Sequence, residues 1–471
     1  MGSIPLPIGF PPLALSAALA AVLLVAVARP APARGTRLLA VAALLGALAW
    51  TLSHWGERFQ TELLRWDGLG AAWMLLLLLG SLPLALLIEI RGERPLALLL
   101  GTVLGMALLA TANHLFLLFL GLEIMSLSLY LLVALTPNHA DRGAGSSANS
   151  GRRIEAAIKY FFCGAFVAAI YLFGLSIYYA KTGGMAMRPH PFESPGLALA
   201  VTLMVCAALF KIGAFPMHFW LPDVYEAAAP ELSAFMSTTV KAAGILLLAR
   251  LAVLLPHGNT PGPEMWLPWI ALATMTLGNL LALRQTNLQR LLAYSSLSHV
   301  GYLLAGVWAW FKSAGAPEQA ASIYFYLLTY LFMSMGAFLF VKAAGVSRYD
   351  EIRGLSRRSP GLAAFFALML LSLAGIPPTG GFLAKFFILW DVLRSGSVWL
   401  AVAIALNSLI GLGYYFSLIQ AAVFDEPVEP GPASPPITLP ARLTLWACSL
   451  GTLILGLLPG VRTLLAACLE R

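Results

Sequence analysis

A chain of 471 residues that is 60% hydrophobic and only 11% charged, with a mean hydropathy of +0.84, lies far from soluble proteins, which run ~45–50% apolar and ~25% charged. Such proportions exclude a soluble enzyme and indicate an all-α polytopic membrane protein. The net charge of +8 comes from basic residues scattered over short loops, which argues against nucleic acid as a partner and for a bias in membrane orientation.

The first apolar run, about Pro5 to Ala28, has no preceding Lys or Arg and exceeds a signal-peptide core, so it reads as a retained span. A span needs ~20 apolar residues to cross ~30 Å of hydrocarbon. On that rule fourteen helices are expected, near 5–28, 37–54, 69–90, 95–112, 114–135, 156–180, 197–228 (broken), 231–254, 266–284, 291–311, 321–345, 361–395 (broken), 397–423 and 441–466. Loops after odd-numbered spans carry sixteen basic residues, among them Arg290, Lys342 and Arg442. The opposite loops carry nine, among them Arg250, Arg394 and Arg462. The sixteen mark the cytoplasmic side and place both termini outside, in agreement with an even span count.

Two loops stand apart. Residues 138–153, Gly/Ser-rich and polar, are expected to be mobile, and the Pro-rich residues 425–440 to form an extended strap.

Four of the 29 basic residues remain, Lys159, Lys211, Lys241 and Lys385, all within or at the edge of spans. Glu123, in LGLEIMSL, lies nine residues into its helix. Lys241 reaches a similar depth in its own helix, so two helices bring opposite charges near one level. A charge at such depth costs ~2.5–3.5 kcal/mol on insertion scales, which marks it as functional. Lys211 precedes Pro216, and a proline breaks a helix and frees carbonyls that water can reach. A Glu123–Lys211 pair would let the lysine gain or lose its proton as the carboxylate moves; the bland alternative is a static ion pair fixing register. Lys241 and Lys385, with no acid nearby in sequence, read as relays on a polar axis, with snorkelling as the alternative for Lys385. Asp223 and Glu226, past the break, suit a proton entrance or ordinary loop carboxylates. Lys159 suits a feed to the path or a helix-end lysine. His299, among Tyr294, Ser295, Ser296, Ser298 and Tyr302, suits a shuttle or a hydrogen bond between helices. His218, just after Pro216, invites the same reading with less support.

The seventh expected span carries GAFP around Pro216, and the twelfth AGIPPTGG around Pro377 and Pro378. Each is fourth in a five-helix block, spans 4–8 and 9–13, and an odd block length makes the repeat inverted. The chain then divides into a three-helix segment (1–94), two five-helix repeats (95–254 and 266–423), and a Pro-rich loop with a last helix (424–471).

The four cysteines, Cys163, Cys206, Cys448 and Cys468, form no C-x-x-C pair, the seven histidines show no ligand spacing, and no glycine-rich phosphate motif is present. No redox or nucleotide cofactor is expected in this chain.

The stretches LFLGLEIMSLSLYLL, AAIKYFFCGAF, LFKIGAFPMHFWLPDVYE, FMSTTVKAAG, QTNLQRLLAYSSLSHVGYLLAG and LSLAGIPPTGGFLAKFF together resemble the antiporter-like family of membrane subunits of proton-pumping NADH–quinone oxidoreductase, respiratory complex I, from about residue 70 to 420. Lys385, the VKAAG around Lys241 and the absence of a long lateral helix point to the N type rather than the L or M types. The resemblance implies proton translocation through Glu123, Lys211, Lys241 and Lys385, with Lys159 as a further family lysine. It implies M- and K-type membrane subunits as partners, with flavin, iron–sulfur clusters and quinone in partner subunits, and a bacterial inner membrane location. One departure is AAAPEL, with Glu231, where the family reads GAPTP. The alternatives are a subunit of a multisubunit cation/proton antiporter and a non-transporting membrane scaffold.

Overall fold

The computed structural model describes residues 10–28, 33–88, 94–138, 146–188, 195–254, 263–313, 315–427 and 436–470. Its helices are α1 (Pro11–Ala28), α2 (Ala33–Ser53), α3 (Gly68–Leu87), α4 (Arg94–Thr111), α5 (Leu115–Leu135), α6 (Ser146–Thr182), α7 (Pro195–Ile212), α8 (Trp220–Ala227), α9 (Pro230–Phe235), α10 (Lys241–Leu251), α11 (Pro263–Ala282), α12 (Leu288–Lys312), α13 (Pro317–Ala344), α14 (Leu355–Arg358), α15 (Pro360–Ala374), α16 (Gly380–Arg394), α17 (Val398–Val423), α18 (Leu439–Leu457) and α19 (Val461–Glu470). A two-residue hairpin, β1 (Phe59–Gln60) with β2 (Arg65–Trp66), caps the loop between α2 and α3.

Eleven of these helical segments, among the described residues, are long and apolar enough to cross a bilayer. The sequence expectation of fourteen is not reached by that measure. The run from Tyr294 to Ser298 dilutes α12, and the twelfth expected span is cut into two fifteen-residue helices. The last span, expected over 441–466, is also two helices, because Pro459 and Gly460 end α18 and α19 starts afresh at Val461.

The long loop expected over 138–153 is shorter than its composition suggests. Residues 139–145 lie outside the described residues, but α6 begins at Ser146. Arg153 anchors this early start by donating to the Ala134 carbonyl at 3.0 Å. Of the Pro-rich strap, 428–435 lies outside the described residues.

The bundle is centred on α13, which is buried nearly all round between its charged ends, with α9, α12, α15, α16, α18 and α19 packed against it. Two close helix pairs, α4/α5 and α11/α12, cross through glycines. Gly105 faces the Gly121 and Met125 backbones, and Gly278 and Gly301 face the opposing helix in the same way. A side chain at any of the four would push the helices apart.

Two helices are broken, as expected at Pro216 and at Pro377–Pro378, and the breaks are built alike. Gly213 (φ 74°) and Gly375 (φ 84°) end α7 and α15 in the left-handed region that glycine adopts freely. Ala214 N donates back to Leu209 O, and Ile376 N to Leu371 O, the six-residue closure of a helix C-terminus. Three residues after each glycine comes a cis proline, Pro216 or Pro378. The eighth expected span is continuous but distorted: α9 passes through a π turn, Met236–Val240, into α10.

Several loop assignments fail. Arg250 lies inside α10 with no exposure and grips Asp67, the N-cap of α3, with Nη1 at 2.7 Å and Nη2 at 3.0 Å. Arg250 also donates to the Ala110 carbonyl. Lys342 lies in the last turn of α13, 2.6 Å from the buried Glu231 carboxylate. The departure AAAPEL therefore ends in an ion pair: Pro230 starts α9 and Glu231 meets Lys342. A net of basic residues on loops counts sign, not burial, so it could not detect these pairs.

Candidate functional site

Lys211, Lys241, His299 and Lys385 form a succession of buried groups that crosses both halves of the bundle, with Glu123 near its first member. Glu123 sits half-buried on α5, one turn before Ser126. The Lys211 ammonium, on the last turn of α7, donates to Ser126 Oγ at 3.0 Å and Tyr160 Oη at 3.1 Å. The expected Glu123–Lys211 ion pair is therefore not a direct contact: Ser126 and Tyr160 hold the ammonium, although the two charges remain within electrostatic reach. The break supplies the reason, since ending α7 at Gly213 aims Lys211 at α5 and α6.

From Lys211 the succession continues through aromatic rings. Tyr160 stacks on Trp220 with centroids 4.2 Å apart, Trp220 meets Tyr225 edge-on, and the Lys241 ammonium lies 5.9 Å from the Tyr225 ring. Lys241 follows the π turn and is 1% exposed. It donates to Ser296 Oγ at 2.7 Å and to the Ser296 carbonyl at 3.0 Å.

Ser295, next to Ser296 on α12, hydrogen-bonds the Tyr415 hydroxyl. Tyr415 Oη in turn lies 3.3 Å from His299 Nε2, and His299 Nδ1 lies 2.6 Å from Tyr326 Oη. The imidazole thus has a hydroxyl on each nitrogen. Its ring meets Tyr302 edge-on, and the Lys385 ammonium lies 5.3 Å over the Tyr302 ring. Lys385 donates to the Ala374 carbonyl at 2.9 Å, freed by the break at Gly375, and to Ser408 Oγ at 3.0 Å. It is buried rather than snorkelled, since carbonyl and hydroxyl acceptors are nearer than an interface.

The partners of all three buried lysines are neutral oxygens. No carboxylate lies within ion-pair distance of Lys211, Lys241 or Lys385 among the described residues. A buried ammonium bound only by hydroxyls and carbonyls has acceptors for its protons but no fixed counter-charge.

Asp223, Glu226 and Lys159 come together elsewhere. Arg290 Nη1 bridges Asp223 at 2.8 Å and Glu226 at 2.9 Å, while Lys159 contacts Glu155 at 2.8 Å and Asp223 at 3.3 Å. These five side chains, with Gln289, line a cavity of about 300 Å³ open to solvent. Lys159 is half-exposed there and lies away from the buried line. His218 joins neither group; it lies at the break, against the Phe215 ring and the Pro216 backbone. Among the described residues no group of three or more His, Cys, Asp or Glu can hold a metal ion.

Sequence reading missed the hydroxyl partners Ser126, Tyr160, Tyr326, Tyr415 and Ser408, and the bridging Arg290. Tyrosine in a bundle core ordinarily fills space, so nothing in its local sequence distinguishes a relay.

Residues 112–411 match the family model described as NADH:quinone oxidoreductase/Mrp antiporter, TM. A protein of Thiobacillus denitrificans named NADH-quinone oxidoreductase subunit N is 37% identical over 79% of this chain and 76% of its own length. A Koribacter versatilis protein named NADH-quinone oxidoreductase subunit N 1 is 38% identical over 78% of this chain and 72% of its own. A chain of respiratory complex I from Thermus thermophilus superposes with a TM-score of 0.83 at 33% identity, covering 96% of this chain and 97% of that one. A chain of the Mrp complex from Dietzia sp. superposes with a TM-score of 0.82 at 22% identity, over 98% and 97%, which speaks to the fold alone.

Proposed function

The chain belongs to the NADH:quinone oxidoreductase/Mrp antiporter family of transmembrane subunits, and from that premise we propose that it is the N-type antiporter-like subunit of a proton-pumping NADH–quinone oxidoreductase. It sits among other membrane subunits, with M- and K-type neighbours. It is a non-redox part of the enzyme: electrons pass through flavin, iron–sulfur clusters and quinone in partner subunits, and this chain moves protons. The five-helix blocks 95–254 and 266–423 act as two inverted halves, each with one broken helix. The membrane is the bacterial inner membrane, with both termini outside.

The observation that carries this reading is the set of buried contacts Ser126–Lys211–Tyr160, Lys241–Ser296, Ser295–Tyr415–His299–Tyr326 and Lys385–Ser408, with Glu123 one turn from Ser126. Hydroxyls and imidazole can each accept one proton and release another. Glu123 sets the charge felt by Lys211; Lys211, Lys241 and Lys385 store the protons; His299 passes them between the last two. The cluster of Lys159, Asp223, Glu226 and Arg290 loads protons from the cytoplasmic water.

The test is proton uptake by proteoliposomes holding the intact complex. Lys211→Met is expected to abolish this chain's contribution to pumping while the subunits still co-purify. Full pumping by an assembled Lys211→Met complex would refute the reading. Sodium-dependent flux without NADH would instead favour cation/proton exchange.

A further inference from the structure

Asp391 is a carboxylate that the line from Glu123 to Lys385 leaves unused. It lies on α16, six residues after Lys385 and thus about 9 Å further along the helix axis, and is 1% exposed. Arg462, in the first turn of α19, donates to its Oδ1 at 2.8 Å. The carboxylate is otherwise faced only by the buried Ser322 hydroxyl of α13, and no second cation reaches its Oδ2. A carboxylate buried inside a bundle is costly even when paired, so its retention needs a reason. The guanidinium of Arg462 also lies 5.1 Å over the Phe387 ring, closing over the acid. Beyond Asp391, at the same end of α16, Arg394 pairs with Glu318 of α13 at 3.4 Å, and both are exposed. The order along α16 is therefore buried amine, buried acid, exposed ion pair.

We propose that Asp391 is the proton acceptor that follows Lys385 on the way to the outer face, and that Arg462 is the latch covering it. The proposal rests on the proton path described above. The Lys385 ammonium gives one proton, by way of water or a hydroxyl, to Asp391 Oδ2, leaving a neutral amine and a neutral acid. Protonation removes the charge that makes the Arg462 bond strong. Arg462 then moves aside, the acid gives its proton to outside water, and the re-formed carboxylate recaptures the guanidinium. One proton enters and one leaves.

The breakage at Leu458–Gly460 suits this role. It makes α19 a separate ten-residue helix, so Arg462 is carried by an element distinct from α18 and packed on α13 and α3.

The decisive variant is the double substitution Asp391→Asn with Arg462→Gln, which removes both charges and so leaves neither buried alone. If the pair only ties α16 to α19, this variant assembles and pumps as the parent does, and the proposal is overturned. If Asp391 carries protons, it assembles, but pumping per NADH oxidised falls to the level of Lys385→Met. Should the double variant not assemble, Arg462→Gln alone decides. An unlatched acid is expected to let an imposed pH gradient across resting proteoliposomes decay several-fold faster; parental decay would overturn the proposal. Lys385→Met in parallel separates the two readings, because normal pumping by that variant sinks the path itself rather than this exit.

Discussion

The Lys241 ammonium holds both the hydroxyl and the backbone carbonyl of one residue, Ser296, at 2.7 and 3.0 Å. The helix carbonyl at Ser296 is fixed, whereas the hydroxyl can rotate. Ser296 is thus both an anchor and a movable acceptor. Ser296→Ala keeps the anchor and removes the movable part. Pumping per NADH is expected to fall several-fold with assembly intact, Ser296→Thr restoring most of it. Parental pumping by the alanine variant would show the hydroxyl to be dispensable.

His299 carries a tyrosine hydroxyl on each ring nitrogen, so either tautomer is served. Tyr326→Phe removes the shorter contact and leaves Nδ1 buried with no partner, a cost of about 1–3 kcal/mol. The double variant Tyr326→Phe with Tyr415→Phe is expected to pump no better than His299→Ala. Proton flux in proteoliposomes measures this, and a double variant that outpaces His299→Ala would argue that the tyrosines only pack.

Arg250 and Asp67 tie α10 to the head of α3 through two parallel bonds, with the guanidinium fully buried. Removing one partner strands the other charge, which costs about 3–5 kcal/mol. Asp67→Ala is expected to lower thermal stability of the solubilised complex without altering pumping by the fraction that stays folded. Burial pushes the Asp67 carboxyl up, but Arg250 and Arg65 outweigh it and hold the group below its ordinary value of 3.8. A depressed folded value means that the stabilisation is present above the ordinary value and disappears as pH drops through the lower one. The acid-induced loss of thermal midpoint in that range is expected to be blunted in Asp67→Asn, whose partnering no longer titrates.

The Arg290 bridge over Asp223 and Glu226 is part-exposed, so its charges are screened and its loss is milder. Asp223→Asn with Glu226→Gln is expected to slow pumping partially, well short of Lys211→Met, because water can reach the cavity beside them. Rising ionic strength narrows the gap from the parent. A loss as deep as that of Lys211→Met would move these carboxylates from the entrance onto the buried line.

The breaks and the lysines were legible because their signals are local. Lysine in an apolar run and proline in a helix each carry a cost visible in the sequence, and both halves repeat it at Gly213–Pro216 and Gly375–Pro378. The partners were not legible, because they come from distant helices. Ser126 reaches Lys211 across 85 residues, and Tyr415 reaches Ser295 across 120. Asp391 was readable by the same rule that found Glu123, since it too is a lone acid in an apolar stretch. What no local rule contains is its Arg462, brought back by a helix that the sequence ran together with its predecessor.

The π turn at Met236–Val240 packs one surplus residue into a single winding of the backbone ahead of Lys241. Each residue of an α-helix advances the azimuth by about 100°. Excising one residue from that winding, and letting it relax to ordinary pitch, would swing Glu231 and its neighbours on α9 by that angle relative to the amine beyond. Either Lys342 would lose its carboxylate or Ser296 its ammonium, since a regular coil has no phase that satisfies both.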